Sequence, residues 1–176
     1  MTTSRQVFVM RCIIMTLAGV LSQGISAQGI VRQHQLTSAL ANEAVGVAVT
    51  ICAKSGYAVT AVIVNADGVR QSMLRGDGAA VHTLDSAYAK AYTAASLAPV
   101  RKEDSTKAIF ERLNKAPGMT TAGLASLPNI NFTPGGVTIM NGDQVLGGIG
   151  VGGAPGGNFD DDCARVALAS IKDRMR

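Results

Sequence analysis

The chain has 176 residues, of which 47% are hydrophobic and 16% are charged, and its formal net charge is +4. This length suits one domain, preceded at most by a short targeting segment. The basic residues form no stripe with aromatic residues between them and the chain contains no Trp, so the composition argues against a nucleic-acid-binding protein.

The N-terminal segment has the order of a secretory signal peptide. Arg5 and Arg11 precede a mostly apolar stretch at residues 12–21, and small residues around Ala27 follow. The apolar stretch is well short of the roughly 20 residues that a membrane-spanning helix needs. We therefore expect cleavage after Ala27, with a retained membrane anchor as the less favoured alternative.

Cleavage there divides the chain into three parts. Residues 1–27 are the predicted signal peptide, residues 28–35 a tail, and residues 36–176 the folded domain. The net charge falls from +4 to +2, because both charged residues that are lost are arginines. We expect the mature protein in the periplasm or outside the cell, without a stable membrane anchor.

The domain begins with a predicted helix and a hairpin. Apolar residues recur at three- and four-residue steps over residues 37–54, with Thr37 as a cap and Gly56 as the stop. Residues 57–64 are apolar on both faces, which is typical of a central strand covered on two sides. After an Asp-Gly turn, the more polar residues 69–75 predict an edge strand.

The middle of the domain is predicted to be helical. An alanine-rich helix spans residues 83–98, with Thr83 as its N-cap. A shorter amphipathic helix follows Pro99 over residues 103–115. Residues 116–131 contain Gly and Pro but few charges, so we expect an ordered cover loop.

The last third predicts a second hairpin and a final helix. Residues 136–140 and 144–151 flank an Asn-Gly turn. A helix then starts near Asp160, where three consecutive aspartates are expected to be solvated at its positive end. The element order predicts a single α/β sandwich domain with a central antiparallel sheet flanked by helices.

Cysteine usage leaves two alternatives open. Cys52 and Cys163 both lie on apolar helical faces, a pattern typical of buried free thiols, which is the favoured interpretation. In an oxidising compartment the same two residues can instead form a disulfide. The sequence has no CxxC motif or Cys/His cluster, so a structural zinc site is not expected.

Seven glycines occur within residues 147–157, and three of them match G-x-G-x-x-G. In a dinucleotide fold this motif joins a first strand directly to a helix and precedes a second parallel strand. Here it lies near the end of the chain, and the three aspartates beyond it would repel a pyrophosphate. We therefore do not predict a nucleotide site.

Three segments together resemble a known family. Residues 62–68 read VIVNADG, residues 77–95 contain DG, HT and KAYTAA, and residues 134–157 contain PGGVTI and the glycine run. With these motifs, the chain is similar to the GlcG/HbpS-like, or haem-degrading, family, which includes the C-terminal domain of PduO-type proteins. The resemblance implies a profilin-like α/β fold, homo-oligomers, and glycines that serve close packing more than ligand binding.

The resemblance also implies haem as a cofactor, with a function in haem uptake, storage or sensing. We expect no evolved catalysis, because no acid/base pair stands out and haem degradation would be incidental oxidation at bound iron. One alternative is an enzyme or accessory protein acting on a small carboxylate or a corrinoid. Another is a structural or signalling oligomer whose partner is a protein.

His82 is the predicted axial iron ligand. It lies between the second strand and the alanine-rich helix, whose positive end disfavours an imidazolium and keeps the ring in the neutral form that ligates iron. The only other histidine, His34, lies in the tail and is predicted to be a solvated terminal residue. Under the alternative interpretation, His82 only packs at the start of the helix.

A haem site also needs partners for the propionates and apolar walls. Arg70, Arg75 and Lys90 are the candidate propionate partners, and Tyr88 and Tyr92 are candidate walls, together with Met73 and Leu74. Alternatively, the arginines form a solvated strand face.

Overall fold

A computed structural model describes residues 33–116 and 122–175, together with Gly29. The predicted signal peptide and half of the predicted tail lie outside the described residues. The elements below belong to the unit that begins at His34. Within the described residues, no helix has the length and apolar character needed to span a membrane.

Helix α1, Ser38–Lys54, confirms the first predicted helix. The Thr37 hydroxyl caps it by accepting a hydrogen bond from the Leu40 amide at 3.3 Å. Its buried face consists mostly of alanine, which lets the helix lie close to the sheet.

Strands β1, Thr60–Asn65, and β2, Arg70–Arg75, form the first predicted hairpin. The Asn65 side chain accepts hydrogen bonds from the amides of Asp67 and Val69 at 3.1 and 2.9 Å, which closes the turn. The first five residues of β1 are buried, whereas β2 is mostly exposed. The central and edge positions predicted for the two strands are confirmed.

Helix α2, Thr83–Val100, corrects the predicted cap. The N-cap position belongs to His82, and the Thr83 hydroxyl instead bonds inward to the Ala80 carbonyl at 2.6 Å. Pro99 lies inside the last turn, so the helix continues slightly beyond the predicted end.

Helix α3, Thr106–Lys115, begins three residues later than predicted, because Ser105 caps it through a hydrogen bond from the Ala108 amide at 3.2 Å. The predicted cover loop contains a short helix, α4, Ala122–Ala125.

Strands β3, Gly136–Asn141, and β4, Gln144–Gly152, form the second predicted hairpin. The four-stranded antiparallel sheet has the order β2-β1-β4-β3. Helix α5, Gly157–Ile171, starts three residues before the predicted position and ends in a 3-10 turn, Lys172–Arg174.

The sheet separates two layers of helix. Ala61 and Ile63 of β1 pack in one core cluster with buried residues of α1 and α5. Val62 and Val64, which point to the opposite face, pack against the alanines of α2. The α/β sandwich predicted from the element order is confirmed.

Close packing explains the glycines of β4. A Cβ added at Gly148 would lie 2.4 Å from the Ala91 carbonyl oxygen, and one at Gly150 would lie 2.0 Å from that of Ala87. Helix α2 therefore lies directly on the bare backbone of β4. The predicted packing role of these glycines holds for the helix side of the strand.

Cys52 of α1 and Cys163 of α5 form a disulfide, so the favoured prediction of free thiols is wrong. Both residues do lie on apolar helical faces, as predicted, and they are almost completely buried. The sequence does not reveal that α1 and α5 pack side by side on the same face of the sheet, which brings their Cα atoms to 5.8 Å.

Candidate functional site

His82 lies at the end of the segment that connects β2 to α2. Its backbone has helical angles, φ −64° and ψ −17°, and its carbonyl accepts the first hydrogen bond of α2, from the Ser86 amide at 3.1 Å. The side chain is exposed and makes no cap hydrogen bond. The structure therefore presents this imidazole to solvent, the accessibility that a ligand to an external iron needs.

The backbone just before His82 is held by the side chains of an exposed arginine and a buried threonine. The Arg75 guanidinium donates from Nε and Nη2 to the Ala79 carbonyl oxygen, with the Nε bond at 2.8 Å. The Thr83 hydroxyl donates to the Ala80 carbonyl and also contacts the hydroxyl of Thr60 at 2.7 Å. Arg75 is thus already bonded within the protein, which differs from its predicted role as a propionate partner.

Three other predicted site residues form one cluster around Gly68. The Arg70 guanidinium carbon lies 3.5 Å from the centre of the Tyr88 ring. The Tyr88 hydroxyl donates to the Gly68 carbonyl at 3.2 Å, and the Tyr88 and Tyr92 rings are 6.0 Å apart. The 3.5 Å distance is typical of a cation–π contact, and the N–H donors of an arginine in such a position can bind a carboxylate.

His82 and this cluster are separated on the surface of α2. Tyr88 follows His82 by six residues, which corresponds to about 9 Å along the helix axis and about 120° around it. The two candidate wall residues of β2 lie on opposite faces of the sheet. Met73 pairs with Val62 and faces α2, whereas Leu74 pairs with Ala61 and faces the opposite layer. One chain brings Arg70 together with the tyrosines but does not bring His82 to them.

Lys90 is buried and forms an ion pair, so it presents no free ammonium to a ligand. Its Nζ lies 2.8 Å from Oδ2 of Asp160 and donates to the Val151 carbonyl at 3.0 Å. The other oxygen of Asp160 accepts from the Ala154 amide at 3.0 Å. Burial raises the pKa of the Asp160 carboxyl, and the Lys90 ammonium offsets only part of this rise.

The prediction that the three aspartates at the start of α5 are solvated is wrong for two of them. Asp160 and Asp161 are buried, and only Asp162 is exposed. Asp161 pairs with Nε of Arg165 at 2.8 Å, one turn further along the same helix. Asp160 is paired with Lys90, which is distant in the sequence, and Asp161 is paired with Arg165 on the next helical turn. A run of three acidic residues does not reveal either of these cations.

The aromatic pair of Tyr57 and Phe159 is not part of the site predicted from the sequence. The rings of Tyr57 and Phe159 lie 5.1 Å apart, and Phe159 is 45% exposed. The glycine-rich turn after β4 links this pair to the His82 region, since a Cβ at Gly153 would lie 3.3 Å from the Thr83 methyl group. No sequence pattern connects Tyr57 with Phe159, because the connection from α1 to β1 meets α5 only in the folded chain.

The donor set fits haem in its chemistry, through the exposed imidazole of His82 as ligand and the guanidinium of Arg70 as carboxylate partner. Within the described residues, no group of three or more His, Cys, Asp or Glu side chains is arranged to hold a metal ion.

Comparison with known proteins finds similar proteins over most of the chain. The family model for haem-degrading HbpS-like proteins matches residues 36–169. A double mutant of Streptomyces reticuli HbpS is 33% identical, with 81% of this chain and 90% of that chain covered and a TM-score of 0.69. No curated protein sequence matches the chain significantly.

Two further solved structures have the same fold. The Klebsiella pneumoniae protein ORFY is 27% identical, with 84% of this chain and 98% of that chain covered and a TM-score of 0.71. A complex of PduOC with haem is 24% identical, with 78% and 96% covered and a TM-score of 0.67, and at this identity it supports the fold alone. Since the family model covers most of the chain and HbpS is similar along nearly its whole length, the chain belongs to the HbpS-like family.

Proposed function

We propose that this protein is an exported haem-binding protein that takes up, stores or senses haem, with His82 as the axial ligand. The observation that carries the proposal is the exposed His82 imidazole on a turn whose backbone is fixed on both sides. Bound haem would supply an iron centre reactive toward peroxide, so any haem degradation would be incidental oxidation.

Each residue of the proposed site has a different role in haem binding. His82 supplies a nitrogen ligand, and Arg70, which lies over the Tyr88 ring, supplies N–H donors for a propionate. Because one chain does not bring these two residues together, we assign them to the same haem only where two copies of the chain meet. Tyr88 and Tyr92 provide apolar surface beside the arginine. Lys90 has no place in this scheme, because its ammonium is paired with Asp160 inside the domain.

Export is supported by the disulfide. A buried disulfide between two core helices is typical of proteins that fold in oxidising compartments, such as the periplasm or the extracellular space. Together with the order of charges and apolar residues in the first 27 residues, this favours a cleaved signal peptide. Mass spectrometry of the exported protein should find Gln28 as its first residue; retention of Arg5 and Arg11 would contradict this part of the proposal.

Assembly with further copies is part of the proposal. Four large apolar side chains on and around β2 are exposed: Val69, Met73, Leu74 and Val81. Exposed apolar groups on an edge strand and its flanking turns are typical of surfaces that another protein covers. Light scattering should give a mass several times that of one chain, and a monomer at micromolar concentration would contradict assembly.

A haemin titration followed by absorption spectroscopy tests the function. Wild type should show a saturable Soret shift, His82→Ala should lose it, and His34→Ala should retain it, because His34 belongs to the tail. Binding that survives His82→Ala would move the ligand elsewhere. Failure of wild type to bind would overturn the haem proposal and leave small carboxylates and corrinoids as the ligands to test.

A further inference from the structure

Two consecutive carbonyls before His82 are held from different sides of the domain. Arg75, on the edge strand, donates twice to the Ala79 carbonyl. Thr83, on α2, donates to the Ala80 carbonyl from its hydroxyl at 2.6 Å and from its amide at 3.1 Å. The short segment that ends in His82 is therefore fixed by both elements that it connects.

The direction of the hydroxyl bonds adds a third anchor. A threonine hydroxyl has a single proton, and that of Thr83 is used on the Ala80 carbonyl. In the 2.7 Å contact between Thr60 and Thr83, Thr60 must therefore be the donor. Thr60 is fully buried and Thr83 is 2% exposed, so neither hydroxyl exchanges its partner with water. A chain of two hydrogen bonds thus runs from the central strand β1 to the His82 turn.

The fixed backbone of this turn contrasts with the exposed side chain of His82, and this contrast suggests a functional role for the anchoring bonds. The backbone is held by a charged group on one side and by a buried hydroxyl chain on the other, whereas the imidazole is exposed and makes no cap hydrogen bond. Rigid support under a free functional side chain is how binding proteins fix the orientation of a ligand-binding group.

We propose that Thr60, Thr83 and Arg75 are positioning residues that fix the orientation of His82 for axial ligation. This inference rests on the proposed haem-binding function. It changes the role of Arg75 from propionate partner to an anchor of the ligand turn, and it gives a function to Thr60, a fully buried polar residue at the start of β1.

The competing explanation is that the same bonds only stabilise the fold, and the chain offers a matched control for it. Thr138 of β3 is buried, and its hydroxyl donates to the Ala94 carbonyl of α2 at 2.7 Å. Ala94 lies twelve residues beyond His82, or about 18 Å along the helix. Thr138→Val therefore removes a comparable buried hydrogen bond to the same helix without touching the His82 turn.

The experiment compares Thr60→Val, Thr60→Ser, Thr138→Val and His82→Ala in haemin titrations of the whole protein, with thermal unfolding of each variant. Loss of an outer-shell partner typically weakens metal binding about 10–100-fold. We expect that weakening, with an altered Soret band, in Thr60→Val, and wild-type behaviour in Thr138→Val. Thr60→Ser keeps the hydroxyl and should restore the wild-type spectrum.

The outcomes separate this inference from the proposed function. If His82→Ala abolishes the Soret shift but Thr60→Val binds haem like Thr138→Val, the positioning role is overturned and the function stands. If His82→Ala leaves the spectrum unchanged, the assigned ligand is wrong and the positioning role falls with it. If Thr60→Val does not fold, Arg75→Lys carries the test, because a lysine cannot make both bonds to Ala79; an unchanged spectrum in that variant would overturn the proposal.

Discussion

Replacing Lys90 by Met should destabilise the domain strongly at neutral pH. The side chains of Lys90 and Asp160 are each 4% exposed, and their charged atoms are 2.8 Å apart. Methionine fills much of the lysine volume but leaves the Asp160 carboxylate buried without a counter-charge. Removing one partner of a buried ion pair typically costs about 3–5 kcal/mol in the free energy of unfolding. Urea denaturation at pH 7 measures this loss.

The pH dependence of stability provides a second test of the same prediction, because the direction of the change with pH is also predicted. Burial raises the pKa of Asp160 above its unfolded value, and loss of the Lys90 ammonium removes the main opposing influence. A carboxyl with a raised folded-state pKa binds its proton more readily in the folded than in the unfolded state. Stability must then increase as the pH falls from neutral through that folded-state pKa. Lys90→Met should therefore regain part of its lost stability as the pH falls from 7 toward the ordinary range of an aspartate carboxyl, about 4.

A double variant provides the control. Lys90→Met with Asp160→Asn removes both charges but keeps a side-chain oxygen for the Ala154 amide. It should be more stable at pH 7 than Lys90→Met alone, and its stability should not rise on acidification through this site. A loss below about 1 kcal/mol in Lys90→Met, or a double variant less stable than the single one, would refute the argument from an uncompensated buried charge.

Further predictions concern the disulfide and the glycines. Cys52→Ala with Cys163→Ala opens a link across a sequence separation of 111 residues and should cost about 2–5 kcal/mol in urea denaturation; unchanged stability would show that the bond adds nothing. Gly150→Ala should cost about 3 kcal/mol or prevent folding, because its Cβ would meet backbone atoms of α2 at 2.0 and 2.5 Å. Gly46→Ala, inside α1 with nothing within 4 Å of the new methyl group, should instead gain about 0.5–1 kcal/mol. Equal effects of the two alanines on the melting temperature would contradict the packing argument.

Local signals predicted most of the elements correctly. Thr37 marks the start of α1, and the Asn-Gly and Asp-Gly turns mark the two hairpins, because capping and turn formation depend on residues within a few positions of each other. The predicted helix does begin at Thr83, but the N-cap role predicted for this residue is wrong. Its hydroxyl has two partners inside the fold, one of them on β1, and these partners compete with the capping role.

The candidate site was only partly predictable. The sequence pattern predicted the position of His82 at the strand-to-helix connection, and the structure confirms it. Of the residues predicted to surround His82, the structure brings Arg70 to the tyrosines but not to His82. The sequence pattern assigned Lys90 to a ligand, because nothing within a helical turn of it reveals Asp160, seventy residues further along the chain. Charged residues can be assigned to surface or interior only when the residues packed against them are known.

The antiparallel α/β architecture could be read from periodicity and turn chemistry, and the family and the packing role of the β4 glycines from the resemblance of three motifs. Three features required the folded chain: the Cys52–Cys163 pair, the burial of two of the three aspartates, and the contact of Thr60 with the turn of His82. These contacts join residues that are far apart in the chain, and their positions depend on how helices pack on the two faces of the sheet. The sequence gives the chemistry of each side chain, but the packing of helices on the sheet determines which residues that side chain contacts.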